Sequence, residues 1–511
     1  MFKCKQLLRR ICVVSYVFLL CGGLVNASNL VSKTNTLIGT QGNGWASGYL
    51  YPGATYPFGM VQFTPTYFTK QLGFVINQLS GAGCDHMGNF PTLPIAGALR
   101  VSPDSILNMQ TPVGKEIGTA GYYAATVDHS IRAELTVTER TGMARYTFSS
   151  KEKQGTVIIG GGVATSPIQV AAIKITGPHS CEGYAEGGAF CGIPTPYKVY
   201  FVAEFDADAE SFGTWKEERL HANHTFAEGS HSGVYFTFPL KEGNQAVQYK
   251  IGVSYVSVEN ARENLRVENP AWDFSAVRQA TQDKWNEYLG KIEVEGDNED
   301  RQMQFYTHLY RSLIHPNVCS DVNGEYMGAD SQVHKTARKF YTSFSNWDTY
   351  RTQTALIAML APEETSDIVM SHYLFAEQSG GGFPRWVLAN IETGVMQGDP
   401  TPILVANAYA FGARTYDPRT LLRTMRYGAE VPGANSQGVL TRPGLEQYLE
   451  KGYYDASILL EYTSSDFAIG RFALQACNDE PVCNWYTQRA MNWKNLFNKE
   501  TGWLQSRNED G

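Results

Sequence analysis

The chain has 511 residues, of which 43% are hydrophobic and 12% aromatic, and its formal net charge is −8 at pH 7. This length exceeds the size at which a single core stops growing, so at least two domains are expected, and the apolar content excludes a disordered protein. The acidic balance, without basic runs, argues against a nucleic-acid-binding protein.

We predict that residues 1–27 are an export signal. Basic residues precede the apolar run ICVVSYVFLL, and small Ala27 stands at the cleavage edge. A membrane anchor is the alternative, but the run is shorter than the ~20 residues of a spanning helix, so no stable membrane span is expected. Lipid attachment at Cys21 is a second alternative, which the large Leu20 before it disfavours. The protein is therefore expected to be periplasmic or extracellular after removal of the signal.

The cysteines suit an oxidising compartment. Three of the nine lie in the predicted signal, which leaves six. Two pairs are close enough in sequence for loop-closing disulfides, namely Cys181 with Cys191 and Cys477 with Cys483. Cys84 and Cys319 have no obvious partner, so we expect buried thiols there.

Residues 28–268 alternate with a period of two. In VYFVAEFDA, the apolar residues Val199, Phe201, Ala203 and Phe205 share one face. Glycine-rich breaks separate such runs, which predicts an antiparallel β-sandwich.

The period changes after residue 268. The stretch AWDFSAVRQATQDKWNEYLGKI predicts a helical linker over residues 269–300, and Phe305, Leu309 and Leu313 then recur every four residues. One helix is expected to stop at Ala361 and the next to begin with an N-cap at Ser366. Helices without strands between them predict an (α/α)6 toroid over residues 301–511, incomplete because the helical segments are too few for six pairs.

Several loops of the helical half combine aromatic rings with charged groups. NWDTYR carries Trp347, Asp348 and Arg351, and the later loops GGGFPRW and ETGVMQGDP carry Trp386 and Asp399. Aromatic faces stack on the apolar side of sugars while carboxylates and arginine bind hydroxyl groups, so this set predicts a saccharide pocket. The alternative for the first loop is structural: Asp348 complements the helix dipole and Trp347 packs.

At these residues the sequence resembles glycoside hydrolase family 92, the secreted, calcium-dependent exo-α-mannosidases, many of them α-1,2-specific. The blocks PGATYPFGMVQFTP, SGAGC, SLIHPNVCSDVNGEYMG, YTSFSNWDTYR and FPRWVLANIETGVMQGDP occur in the family's order and span most of the chain. The resemblance implies a sandwich followed by a toroid, with mannose-containing glycans as substrates.

The resemblance also implies which residues form the sugar pocket. Trp347, Asp348, Arg351, Trp386 and Asp399 are expected to contribute from the helical half, with Gly83, Cys84 and Asp85 from the sandwich. The rigid segment 52–65 is expected to help wall this pocket; the alternative is that it only seals the domain interface.

The family pattern has departures in this chain. Thr66 stands where the family has an aspartate, and Asn346 replaces an apolar residue before Trp347. The linkage and the exact sugar therefore stay open.

Family members invert the anomeric centre with a glutamic acid in an EGN-type block and an aspartate in a GNDD-type block. No residue of this chain matches either block, so the catalytic acid and base and the calcium ligands are expected beyond Gly511. On this view the catalytic part is absent and the chain is inactive alone. A non-catalytic glycan-binding relic and a glycoside phosphorylase are the alternatives.

Overall fold

The computed structural model describes residues 29–510 except 41–47, 67–72, 105–112, 129, 243, 244 and 509. The predicted signal and Cys21 lie outside the described residues. Within the part of the chain that is described, every helix is too short or too polar to cross a membrane.

Two antiparallel sheets form the N-terminal half. The first has eight strands, in the spatial order β1 (Ala54–Thr55), β2 (Gln62–Pro65), β3 (Phe74–Val75), β4 (Thr92–Ala96), β9 (Gln154–Gly160), β16 (Ser232–Pro239), β13 (Ser211–Lys216) and β14 (Arg219–Ala222). The second has nine strands, in the order β15 (Phe226–Glu228), β10 (Ile168–Gly177), β11 (Ser180–Phe190), β12 (Ile193–Phe205), β17 (Ala246–Ser254), β8 (Thr141–Thr147), β7 (Ile131–Val137), β6 (Tyr122–Val127) and β5 (Val113–Thr119).

The core of this sandwich follows the alternation in the sequence. Val199, Phe201, Ala203 and Phe205 are all buried on one face of β12, as predicted. Phe205 contacts Phe236 of the opposite sheet, with ring centroids 5.0 Å apart. Apolar side chains from both sheets thus interdigitate, which confirms the antiparallel sandwich.

Eleven α-helices follow the last sandwich strand in the described residues. They are α1 (Val258–Glu268), α2 (Phe274–Leu289), α3 (Glu299–Ser312), α4 (Asn346–Thr349), α5 (Gln353–Leu360), α6 (Pro362–Ser379), α7 (Thr401–Phe411), α8 (Pro418–Glu430), α9 (Leu445–Lys451), α10 (Ala456–Cys477) and α11 (Glu480–Ala490). Two 3-10 helices add Leu30–Lys33 and Met491–Leu496.

Short strand pairs also lie in the helical half, where none was predicted. They are β18 (Asn317–Val318) with β21 (Tyr341–Thr342), β19 (Glu325–Met327) with β20 (Val333–Lys335), β22 (Phe344–Ser345) with β23 (Trp386–Leu388) and β24 (Ile391–Glu392), β25 (Asn435–Ser436) with β26 (Val439–Leu440), and β27 (Phe497–Asn498) with β28 (Trp503–Leu504). Strands of two or three residues are too short to show a period of two.

One predicted helix start is wrong. Helix α5 ends before Ala361 as expected, but α6 begins at Pro362 rather than after an N-cap at Ser366. Proline fits the first helical turn because its missing N–H needs no partner there. Ser366 lies inside α6 and donates its hydroxyl to Pro362 O at 2.7 Å.

Helix α10 is the centre of the helical half. It packs against α7, α8 and α11, and α7 packs in turn against α5. Ile469 and Phe472 of α10 are buried with Val405 and Leu421 in one apolar cluster. The described helices form an open array rather than a closed ring.

The segment 51–65 joins the two halves. Phe58 N donates to Leu313 O at 2.9 Å, and Val318 N donates to Phe58 O at 2.8 Å. The Phe58 ring packs edge-on against Tyr288 and Tyr341. This segment therefore seals the interface between the halves.

The predicted disulfides are wrong. Cys84 is bonded to Cys191, whereas Cys181, Cys319, Cys477 and Cys483 are buried free thiols. Cys181 lies at the start of the 11-residue strand β11, and Cys191 follows its far end, so the strand holds the two about 30 Å apart. Of the two thiols expected at Cys84 and Cys319, only Cys319 is free.

Candidate functional site

A cleft of about 620 Å³ lies between the sandwich and the helices. The sandwich contributes Leu50, residues 79–84 and the end of the β11–β12 hairpin at Phe190 and Cys191. The helical half contributes the end of α3, the turn around Asp348, and Trp386. The volume is in the range of clefts that bind small molecules.

Two of the predicted sugar-binding residues meet on the helical side of the cleft. Ser345 of β22 pairs with Trp386 of β23, which places the turn of α4 beside the indole. Asp348 in α4 is exposed, and Ser345 donates its hydroxyl to the Asp348 carboxylate. The described lining therefore combines an exposed carboxylate with a largely buried aromatic ring.

Trp386 is 4% exposed and held from two sides. Its ring stacks on Phe190 of the sandwich with centroids 4.1 Å apart and an interplanar angle of 24°. The buried Glu392 carboxylate accepts hydrogen bonds from the backbone N–H groups of Arg385, Trp386 and Gly394. Burial raises the pKa of Glu392 although these amides oppose the shift. The strand carrying Trp386 is thus fixed before any ligand binds.

Gly83 and Cys84 line the opposite wall of the cleft. The disulfide joins this loop to the hairpin that carries Phe190. Asp85 is exposed and lies outside the described lining.

Trp347 and Arg351 lie beside the cleft lining, around Glu461 of α10. The Trp347 indole donates to Glu461 Oε1 at 3.0 Å, and Arg351 Nη2 lies 3.7 Å from the same oxygen. The Arg351 guanidinium also lies over the Trp347 ring at 4.6 Å. Burial raises the pKa of Glu461, while Trp347 and Arg351 oppose the shift. Gly398, at φ +80°, admits this carboxylate, because a Cβ there would be 2.5 Å from Glu461 Cβ.

Asp399 is buried away from the cleft lining. Its Oδ2 accepts from Arg442 Nε at 2.8 Å, and Arg442 Nη1 donates to Asp466 Oδ1 at 2.7 Å. Arg489 Nε and the Tyr448 hydroxyl also donate to Asp466. The structure therefore does not bring Asp399 together with Asp348 and Trp386.

Comparison with protein families identifies this architecture. The sequence model of the glycosyl hydrolase family 92 N-terminal domain matches residues 34–254, and that of the family 92 catalytic domain matches residues 260–511. The chain belongs to glycosyl hydrolase family 92. The expectation that the catalytic part is absent is wrong, because the catalytic-domain match runs through the whole helical half.

A curated relative is an uncharacterized secreted glycosidase from Arthroderma benhamiae, 24% identical over 533 residues. The alignment covers 92% of this chain and 62% of the relative, so the chain spans less than two thirds of the relative's length.

Solved family 92 structures share the fold. An α-mannosidase from Bacteroides thetaiotaomicron matches with a TM-score of 0.86 and 24% identity, covering 94% of this chain and 68% of its own. The same enzyme in complex with mannoimidazole gives a TM-score of 0.85 at 24% identity, covering 94% of this chain and 66% of its own. An inverting mannosidase from that organism matches with a TM-score of 0.85 and 25% identity, covering 94% and 67%.

The described residues offer no carboxylate cluster for the calcium ion that the family resemblance implies. No three His, Cys, Asp or Glu side chains lie together as a metal site requires, within the ranges that the structure describes. Calcium prefers several oxygen ligands, whereas Asp399 and Asp466 are bound to arginines and Glu392 to backbone amides. No step is therefore assigned to calcium.

Glu461 is the candidate residue that sequence reasoning missed. It lies in ILLEYTSS, where a single carboxylate on an apolar helix carries little information. No local pattern could have found it, because its contact with the NWDTYR segment is visible only in the tertiary structure.

Proposed function

We propose that this family 92 protein is an exported glycoside hydrolase that removes mannose from the non-reducing ends of glycans. The observation that carries the proposal is the cleft, whose lining combines Asp348 and Trp386 with the disulfide-anchored loop 79–84. The solved relatives named as α-mannosidases, one of them binding mannoimidazole, support mannose as the sugar.

The terminal sugar is bound between the two walls. Asp348 accepts hydrogen bonds from sugar hydroxyl groups, and Gly83 and Cys84 allow the ring to approach the opposite wall closely. Trp386, stacked on Phe190, forms part of the apolar wall of the sugar site. Trp347 and Arg351 act at the rim, where Glu461 orients them.

We propose that hydrolysis inverts the anomeric centre, as in the relative named as an inverting mannosidase. Inversion needs two carboxyl groups about 6.5–9.5 Å apart on opposite faces of the sugar. The described lining supplies one, Asp348, and we assign it to binding, so no acid or base role is assigned. Proton NMR of the mannose first released from an aryl α-mannoside tests the stereochemistry, and retention would refute it.

Calorimetry with mannoimidazole and hydrolysis of aryl α-mannosides and α-mannobiose test the substrate class. A wild-type protein that neither binds nor cleaves these compounds would refute the proposal. Binding without turnover would indicate a glycan-binding protein instead.

Asp348→Asn tests the site itself. Asn keeps an acceptor oxygen but no charge, so the variant loses the difference between a charged and a neutral hydrogen bond, about 1–1.5 kcal/mol, and affinity should fall by roughly 5- to 10-fold with unchanged thermal stability. The matched control is Asp283→Asn, an exposed carboxylate on α2 outside the cleft lining, which should bind as the wild type does. If Asp348→Asn and the control bind with equal affinity, Asp348 does not contribute to ligand binding.

We propose export on the pattern of the leader and on the relative described as secreted. N-terminal sequencing of the mature protein should begin at Ser28. A start at Met1 in a membrane fraction would contradict this.

A further inference from the structure

The cleft loop 79–84 lacks regular secondary structure, and two histidines bind its backbone. Leu79 N donates to His86 Nε2 at 2.7 Å, and Ser80 N donates to His315 Nε2 at 2.9 Å. His86 belongs to the sandwich, whereas His315 follows α3 in the helical half. The second bond therefore ties the sandwich wall of the cleft to the opposite half of the molecule.

The surroundings of His315 determine which of its ring nitrogens carries the proton. The Asn317 side-chain amide donates to Gly59 O at 2.8 Å and to Ile314 O at 2.9 Å, which turns its Oδ1 toward the imidazole. His315 Nδ1 lies 2.7 Å from that oxygen and must donate to it. The Nε2 lone pair of a neutral ring is thereby left to accept from Ser80.

His86 is arranged in the same way. Its Nδ1 lies 2.7 Å from the carbonyl oxygen of Cys84, which can only accept. Its Nε2 therefore accepts from Leu79. Two consecutive loop amides are thus bound by two neutral imidazoles, while the Cys84–Cys191 disulfide holds the other end of the loop.

Protonation of either ring would place an N–H on Nε2, opposite the backbone N–H that Nε2 now accepts from. The hydrogen bond to the loop would then break. Burial lowers the pKa of both His86 and His315 to about 4, so both are neutral at pH 7. Among the described residues, the charged and titratable groups around His315 are His86 from the sandwich, Arg311 and His308 from α3, and Asp348 from α4.

We propose that His315 is a positioning residue: it holds loop 79–84 in the shape that the bound sugar meets. What binds there rests on the proposed function, whereas the attachment of the loop does not. Because Nε2 must be unprotonated, the loop is held at neutral pH and released as the medium becomes acidic. A purely structural His315 would affect thermal stability but neither ligand affinity nor its pH profile.

The test compares His315→Gln, which keeps an acceptor near the Nε2 position but cannot titrate, with His315→Phe, which keeps a ring without an acceptor. At pH 7, His315→Gln should bind mannoimidazole within about twofold of wild type, and His315→Phe roughly 5- to 10-fold more weakly, as expected for one lost hydrogen bond. Wild-type affinity should fall more steeply than that of His315→Gln as pH drops toward 4. Identical pH profiles would overturn the proposal.

Hydrogen exchange separates this proposal from the proposed function. Peptides covering residues 79–84 should exchange faster in His315→Phe than in wild type, with little change elsewhere, whether or not any mannoside binds. His224→Gln, an exposed histidine of the sandwich, is the control and should leave exchange unchanged. Should His315→Phe fail to fold, the wild type and His315→Gln at pH 7 and pH 4.5 carry the test. Equal protection of 79–84 in all comparisons would refute it.

Discussion

Replacing Arg442 by methionine should destabilise the helical half strongly. The Arg442 side chain is 0% exposed and bridges Asp399 and Asp466. Asp466 keeps Arg489 and the Tyr448 hydroxyl when Arg442 is removed. Asp399, by contrast, loses its partner, because the ion pairs of the described residues place no other cation within hydrogen-bond distance of it.

The magnitude follows from leaving the Asp399 carboxylate buried without its partner. Breaking a buried pair in this way costs about 3–5 kcal/mol. Burial already raises the pKa of Asp399 while Arg442 opposes the shift, so removing Arg442 raises that pKa further. Because the folded-state pKa of Asp399 then lies above its unfolded value of ~4, protonation of this carboxyl stabilises the folded protein fully at a pH below that value. This stabilisation is lost as the pH rises through the folded-state pKa. The loss of unfolding free energy caused by Arg442→Met should therefore be smaller at pH 5 than at pH 7, by up to about 2.7 kcal/mol.

The unfolding free energies are measured at pH 7 and pH 5 by guanidinium titration, followed by the helical far-UV circular dichroism signal. The control is Arg426→Met, which removes a half-buried ion pair with Glu430 one helical turn away and should cost at most ~0.5 kcal/mol. Adding Asp399→Leu to Arg442→Met should recover part of the loss, since no buried charge is then left unpaired. A cost within 1 kcal/mol of the control, or one that grows toward pH 5, would refute the reasoning.

Two further predictions concern the cleft walls. Peptide mapping without reduction should recover Cys84 linked to Cys191, and a Cys181–Cys191 or Cys477–Cys483 linkage would contradict the structure. Glu461→Ala removes the acceptor of the Trp347 indole and the partner of Arg351, so mannoimidazole affinity should fall about 5- to 10-fold, while Glu461→Gln, which keeps an acceptor, should fall less. Equal affinities for these two variants would show that Glu461 does not orient the rim.

Local patterns predicted the elements well where they were long. The alternation around Phe201 gave the correct buried face of β12, and the spacing of Leu309 gave a helix, because each signal comes from neighbours a few residues apart. Strands of two residues such as β22 show no such pattern, yet β22 and β23 place Asp348 beside Trp386.

The candidate site was predicted only in part for the same reason. Asp348, Trp386, Gly83 and Cys84 line one cleft. Asp399 belongs to similar sequence, but its environment depends on Arg442, 43 residues away. An aspartate in a loop looks alike whether it faces solvent or a buried guanidinium.

The sequence by itself determined the sandwich, the helices that follow it and the membership of family 92. These depend on periodicity and on ordered motif blocks, which are properties of contiguous residues. The tertiary structure alone decided the disulfide across 107 residues, the bond from Ser80 to His315 across 235, and the burial of Asp399. Such contacts form between segments that only packing brings together, so no local sequence pattern links the residues that make them.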